Sequence, residues 1–483
     1  MIKKSVDELK KWMYSKRFQN IKRPYDSKII YKAQPDLQTN YISNKLAGKL
    51  YQCLNQHHKN KTASYTFGIL DPIQAVQTSP YVDTFYVSGW QCASTATSSN
   101  EVGPDFSDYP YDTVPRKVQQ LSKALEFHQC KQKLLNDQSV DYYKPIIADA
   151  DTGHGGITSV LKITKMFIEM GTSGIHLEDQ KHGSKRCGHL GGKVLVSTQE
   201  HIDRLVAARF QADLMLNPLV VIARTDAESA KYLDNNIDKK DHRFIIGELK
   251  TEYGIERCTF LEAIEKLYKY ENKPFNLTLY LNCTKDEALI RAREHIELPF
   301  TYDWEKCRTA EGFYLVKSGL EYSINRGLAY ANYADLLWME TSTPNYEQAK
   351  QFSIAIKSKY PNMMLAYNLS PSFNWDSNGM SNPQIKEFIH ELAKLGYCWQ
   401  FITLAGFHVN GLATTNFARN YQTDGMLAYV NNIQRQEKIQ KVEVLKHQQW
   451  SGIDLMDYYL SIITNNKSST LASSEGCTET QFK

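Results

Sequence analysis

Eight short apolar runs alternate with longer stretches of helical periodicity, and most of them end in side chains capable of chemistry. Together these features predict an α/β fold, a closed (β/α)8 barrel of the TIM type with its site at the strand C-termini. The runs lie at 67–70, 85–88, 146–149, 175–178, 220–224, 336–340, 365–368 and 401–404, each too short for a helix. Between them, 118–135, 157–170, 198–214, 346–359 and 385–395 space their apolar residues as amphipathic helices do. The competing topology is an open doubly wound sheet, but no Gly-x-Gly-x-x-Gly follows the first run.

Residues 1–60 read as a polar helical segment, broken near Pro24 and Pro35. The first residues carry Asp7 and Glu8 and no apolar signal core, which suits a first helix of the fold better than a targeting segment. Residues 61–228 form the first part of the barrel, where the 71–84 connection is too short and Pro-rich for a full helix. About 110 residues then separate Arg224 from Leu336, more than a barrel connection needs. The charged stretch 229–301 is therefore expected to be an inserted helical subdomain. Residues 302–420 complete the barrel and 421–483 hold C-terminal helices and a tail. From Thr464 the chain is Ser/Thr-rich, suited to disorder or to an arm docking on another subunit.

A formal charge of +4 over 483 residues points to neither nucleic acid nor an anionic membrane as partner. No run of 18 apolar residues occurs, so no transmembrane helix is expected. Nine cysteines without paired spacing suit a reducing compartment. Gln481-Phe482-Lys483 is not an obvious peroxisomal address. The expectation is a cytoplasmic protein.

The stretch GIHLEDQKHGSKRCGHLGGK, residues 174–193, organises the rest. A buried strand ends in Glu178 and Asp179, and a glycine-rich loop, 181–193, follows with Lys185, Arg186, Cys187, Gly188 and His189 at its centre. The cationic neighbours favour the thiolate, so Cys187 can exchange a proton near neutral pH. Other strand ends supply Ser88, Gly89, Trp90, Asp149, Asp151, Arg224, Asn368, Ser370, Ser372 and Thr403, and an acidic turn supplies Asp105. Carboxylates on neighbouring strand ends make a hard oxygen site suited to Mg²⁺ or Mn²⁺. A guanidinium, hydroxyls and an amide opposite that ion would hold a small substrate with several carboxylates. The assembled logic is cleavage or formation of a C–C bond next to a carboxylate, with the thiol protonating the carbanion.

The stretches SGWQ (88–91), DYPYDTVP (108–115), IADADTGHGG (147–156), HLEDQ (176–180), KRCGHLGGKV (185–194), VIARTDAE (221–228), LLWMET (336–341), AYNLSPSFNW (366–375) and QFITLAGFH (400–408) closely resemble the isocitrate lyase family, within the isocitrate lyase/phosphoenolpyruvate mutase superfamily. The resemblance spans most of the chain. It implies cleavage of isocitrate to glyoxylate and succinate with Mg²⁺, by a homotetramer whose paired subunits exchange C-terminal helices. It also implies roles. Ser88, Gly89 and Trp90 resemble the glyoxylate-binding segment. Asp149 resembles the metal anchor, with Asp105, Asp151 and Glu178 in the surrounding acid and water shell. Cys187 resembles the acid that protonates the carbanion, with Gly188 and His189 on the substrate. Arg224 resembles the guanidinium on substrate carboxylate, and Asn368, Ser370, Ser372 and Thr403 match the succinate pocket. The base is Tyr86 or a metal-shell carboxylate.

The nearest rival reading is 2-methylisocitrate lyase, which differs by room for one methyl. The lack of a presequence leans toward isocitrate. A catalytically silent barrel scaffold would lack an essential group, yet Cys187, His189, Asp149 and Arg224 are all present. A structural zinc site at Cys187 and His189 lacks further soft ligands nearby. The glycine content of 181–193 predicts a loop that is open without ligand and closes with the C-terminal tail over substrate.

Overall fold

The eight apolar runs close on themselves. In the computed structural model, which describes residues 4–96, 101 and 103–482, they form the parallel strands β1 (Ser64–Gly68), β2 (Thr84–Val87), β3 (Ile146–Asp149), β4 (Gly174–Glu178), β5 (Val220–Thr225), β6 (Leu336–Met339), β7 (Met364–Asn368) and β8 (Tyr397–Ile402). Each strand pairs with the next in chain order, and β8 returns to β1 to close the barrel. The open-sheet alternative is thereby excluded.

Side chains alternate in and out along each strand. Tyr86, Ile147, Ile222, Trp338, Ala366 and Phe401 fill the interior, while Phe85, Ala148, Ile175, Val221, Leu337 and Leu365 meet the surrounding helices. The expected helices are present, among them Thr113–Leu134, Ile157–Glu169, Thr198–Leu214, Tyr346–Lys359 and Asn382–Lys394. The 71–84 connection holds only the two-turn helix Pro72–Thr78, capped by Asp71 on the Gln74 N–H at 2.9 Å. The register sets the chemistry: Asp149 lies beside His176, Glu178 beside Arg224, and Arg224 beside Trp338.

The N-terminal segment has a structural task. Helix Ile42–Asn60 sends Leu50 and Leu54, both fully buried, into the interior cluster and so plugs the barrel end opposite the site. At the other end of the chain, helix Ala405–Asp424 buries only Ala405 and Gly406 and leaves Val409, Leu412 and Tyr421 exposed. Among the described residues, no helix is long and apolar enough to cross a membrane.

The insert corrects one expectation. It does contain helices, Phe260–Tyr270 and Lys285–Arg293, but also an antiparallel sheet of Ile246–Thr251, Gly254–Thr259 and Thr301–Asp303. Charged residues on the exposed face of these strands (Glu248, Lys250, Arg257) mask their two-residue alternation and make the stretch look helical. Its core also runs beyond residue 301, to Tyr302, Trp304, Tyr314 and Val316. The barrel resumes with helix Leu320–Tyr330. A second small sheet joins Val194–Leu195, at the root of the Cys187 loop, to Tyr232–Leu233 and Tyr314–Leu315 of the insert.

Leu50→Ala should destabilise the fold by about 2–5 kcal/mol, the usual effect of emptying a packed leucine site. Urea unfolding measures it, and a loss below about 1 kcal/mol would contradict the plug.

Candidate active site

Groups from seven of the eight strand ends converge at the barrel mouth. A small cavity of about 60 Å³ is lined by Tyr86, Ser88, Trp90, Pro104, Asp149, Lys185, Cys187, Gly188, His189, Arg224, Glu340, Asn368, Ser370, Ser372, Thr403 and Leu404. Larger clefts of about 510 and 590 Å³ lie elsewhere and contain none of the strand-end groups named from the sequence. Size alone does not locate the chemistry; the convergence of charged side chains does.

After β2 the chain turns into helix Gly89–Ala96, and the Gly89 N–H donates to Asp149 Oδ2 at 3.0 Å. A Cβ at Gly89 would collide with the Tyr109 hydroxyl, so no larger residue fits against this carboxylate. Asp149 Oδ1 accepts the Asp151 N–H at 2.9 Å. Asp151 in turn accepts from the Tyr109 hydroxyl, from Ser107 Oγ at 2.8 Å, and from the Lys185 ammonium. Arg224 donates to Asp226 through Nε and Nη2, both at 3.1 Å, and lies 3.3 Å from both Glu178 and Glu340. Its guanidinium stacks over Trp338 at 4.4 Å.

Loop 181–193 sits in the mouth. Gln180 braces it, its side chain bonding the Arg186 carbonyl at 2.9 Å and the Arg186 N–H at 3.0 Å. The Cys187 N–H donates to the Asp105 carbonyl at 3.0 Å, and His189 Nε2 lies 2.7 Å from Ser370 Oγ. Gly188 is pressed against Arg224 and Glu340, where a Cβ would overlap the guanidinium. The structure therefore shows the loop packed closed over the mouth.

Electrostatics divide these groups. Burial opposes charge on Asp149 and Asp151, but nearby cations and hydrogen-bond donors outweigh it and hold both at about 2. His176, beside Asp149, is pushed down to about 4 by burial and is neutral at pH 7. At pH 7 the charge on Asp149 is therefore held by Lys185, Arg224 and the N–H groups of Asp151 and Gly89. Burial outweighs Arg224 and Lys185 at Glu178 and raises it to about 8. Burial also pushes the Cys187 thiol up and the His189 imidazole down. The cationic neighbours were expected to favour the thiolate. They pull in that direction, but desolvation is larger, so Cys187 keeps its proton as a thiol. Tyr86 is driven well up by burial and by Asp149, and its hydroxyl lies 2.9 Å from His176 Nε2.

The sequence profile of the isocitrate lyase family matches residues 5–256 and 252–482. The chain belongs to the isocitrate lyase family. An isocitrate lyase of Pinus taeda is 41% identical, covering 98% of this chain and 91% of its own. A mitochondrial 2-methylisocitrate lyase of Hypocrea atroviridis is also 41% identical, covering 99% and 93%. Among solved structures, a 2,3-dimethylmalate lyase of the PEP mutase/isocitrate lyase superfamily superposes with a TM-score of 0.51 at 17% identity, over 90% of this chain and 99% of its own. That likeness supports the barrel alone. Membership of the isocitrate lyase family makes the chain a carbon–carbon lyase acting on a small molecule.

Isocitrate lyases are generally metal-dependent, and the residues at this mouth fit a cation. Asp149, Asp151, Glu178 and Glu340 are four buried carboxylates facing two cations, Lys185 and Arg224. Among the described residues neither oxygen of Glu178 accepts a hydrogen bond, although Arg224 and Lys185 lie at ion-pair distance. The donors are hard oxygens. Among the described residues no three or more His, Cys, Asp or Glu side chains are already grouped as a metal cage. Such a mouth suits an ion that takes few protein ligands directly and keeps its waters.

Most residues named from the sequence line the cavity. Gly89, Asp151 and Glu178 stand just behind it and act on its lining through the contacts above. Asp105, expected in the metal shell, accepts the Trp90 Nε1–H at 2.9 Å through one carboxylate oxygen and braces Cys187 through its carbonyl. Glu340 was missed. It follows β6, lines the cavity, and meets Arg224, Asn368 (3.2 Å) and His189 (3.8 Å). The signal was present: LLWMET ends in a carboxylate as the other strand ends do. Lys185 was read only as a modifier of the thiol, yet it is buried against Asp151 and Glu178.

Gly188→Ala should lower lyase turnover about 100-fold by displacing the loop while leaving the unfolding midpoint unchanged. Wild-type kcat in this variant would contradict the packing of Gly188 on Arg224.

Proposed function

We propose that this chain cleaves isocitrate to glyoxylate and succinate. The observation that carries the reading is a protonated thiol, Cys187, closed over a cavity that Asp149 and Arg224 share with Asn368, Ser370, Ser372 and Thr403. In this reading Arg224 and His189 bind substrate carboxylate, and the amide and hydroxyl cluster holds the carboxylates of the succinate half. Ser88, Gly89 and Trp90 hold the glyoxylate half. The carboxylates around Tyr86 are placed to take the substrate hydroxyl proton directly, whereas Tyr86, whose phenol keeps its own proton, can take it only by passing that proton on to His176 Nε2 at 2.9 Å. As the C–C bond breaks, its electron pair passes into the succinate half and the glyoxylate carbonyl forms. The Cys187 S–H then gives its proton to the carbanion. When bound, a Mg²⁺ or Mn²⁺ ion held by Asp149, with Asp105, Asp151 and Glu178 around it, supplies Lewis-acid stabilisation of the developing oxygen charges.

The exposed apolar residues of Ala405–Asp424 and of Ile453–Ile463 support exchange of C-terminal helices within a homotetramer. Free cysteines throughout the described chain support a cytoplasmic location.

A second reading, cleavage of 2-methylisocitrate to pyruvate and succinate, is favoured by one observation: such a lyase is as similar to this chain as the isocitrate lyase of pine. One methyl in a pocket is worth only about 1–3 kcal/mol, so kinetics must separate them. With Mg²⁺ present, kcat/KM for glyoxylate release from isocitrate should exceed that for pyruvate release from 2-methylisocitrate, and the reverse order would overturn the choice. Cys187→Ser should lose about 100-fold or more in kcat, whereas an unchanged kcat would remove the thiol from the reaction.

A further inference from the structure

Lys193 closes the glycine-rich loop and is fully buried, with a side chain 1% exposed. Its backbone belongs to the fixed scaffold, since the Lys193 carbonyl accepts the Tyr232 N–H at 3.3 Å and the next residues pair with the insert. Its side chain points the other way, back into the loop. Nζ donates to the Gly188 carbonyl at 2.6 Å and to Asp226 Oδ1 at 3.2 Å. Asp226 Oδ1 also accepts from Arg224 Nη2 at 3.1 Å. One carboxylate oxygen therefore joins the loop's buried cation to the guanidinium at the centre of the site. Asp226 is itself held from behind, its N–H donating to Asp179 Oδ1 at 3.0 Å.

The energetics make this a catch. A buried ammonium without partners is strongly destabilising, so Lys193 is tolerated only where it is paired. Swinging the loop out removes the Gly188 carbonyl and lets water reach Nζ. Swinging it in restores both contacts and seats Gly188, adjacent to Cys187, against Arg224. No other lysine or arginine of the loop does this: Lys181 pairs with Asp234 at 2.6 Å, Lys185 faces Asp151, and Arg186 stacks on Phe106 at 4.7 Å.

We propose that Lys193 is a positioning residue, a catch at the root of the loop whose ammonium bridges Gly188 and Asp226 and so holds Cys187 over the substrate beside Arg224. The proposal rests on the lyase reading for its kinetic consequence, but not for its structural one. Lys193→Met should lower kcat about 100-fold by misplacing Cys187, with a much smaller change in KM. Lys193→Arg, which keeps the charge, should recover part of that loss. In the same Met variant, without substrate, iodoacetamide should alkylate Cys187 about tenfold faster and trypsin should cut sooner after Arg186, because the loop opens more often. The thermal midpoint should stay near that of the wild type. Lys193→Gln is read in the same way if the Met variant is insoluble. Wild-type alkylation and cleavage rates in the variants would overturn the catch, as would a loss of kcat that merely follows a fall in the thermal midpoint. If the wild-type protein releases no glyoxylate from isocitrate, the lyase reading fails, while the alkylation and trypsin rates still test the catch.

Discussion

The barrel mouth carries more negative than positive charge, and this imbalance governs the rest of the site. Asp149, Asp151, Glu178 and Glu340 face Lys185 and Arg224 in a region from which water is largely excluded. Buried carboxylates persist there only if paired, protonated or joined by a further cation. The structure uses the first two. Asp149 and Asp151 keep their charge through Lys185 and hydrogen-bond donors, while Glu178 is pushed up to about 8. The third is what a divalent ion would provide, and it gives the excess of oxygen ligands a purpose.

Burial also sets the state of the thiol. A loop rich in lysine and arginine suggests a thiolate nucleophile, but closure of that loop desolvates Cys187 and raises it. A closed, protonated thiol suits a proton donor to a carbanion. In the proposed reaction, the closed position that brings the sulfur to the mouth also keeps its proton on it.

The scaffold behind the mouth is tied together by a second ionic cluster. Glu178 and Asp179 are neighbours in sequence but face opposite ways. Glu178 faces Lys185 and Arg224, whereas Asp179 accepts from Thr225 Oγ1 at 2.7 Å, Tyr330 at 3.0 Å and Arg326 at 3.0 Å. Arg326, with no exposed surface, reaches on to Asp241 of the insert at 2.9 Å. Asp241 also accepts the Thr198 N–H at 2.7 Å at the start of the helix after β4. Removing one member would leave an uncompensated buried charge. The insert is thus anchored through Asp179 to the end of β4, which in turn holds Thr225 and the Asp226 N–H on the neighbouring β5 end.

What the sequence by itself determined was the local part. Strand positions, the amphipathic helices and the identity of most strand-end groups follow from short-range periodicity and from motifs such as KRCGHLGGK, which need no knowledge of distant neighbours. Tertiary structure decided whatever depends on who meets whom. The sheets of the insert were hidden because their exposed faces are charged. Glu340 acquires meaning only beside Arg224 and Asn368, about 115 and 30 residues away in the chain. The proton on Cys187 depends on desolvation, a property of the folded surroundings that no spacing of residues along the chain encodes.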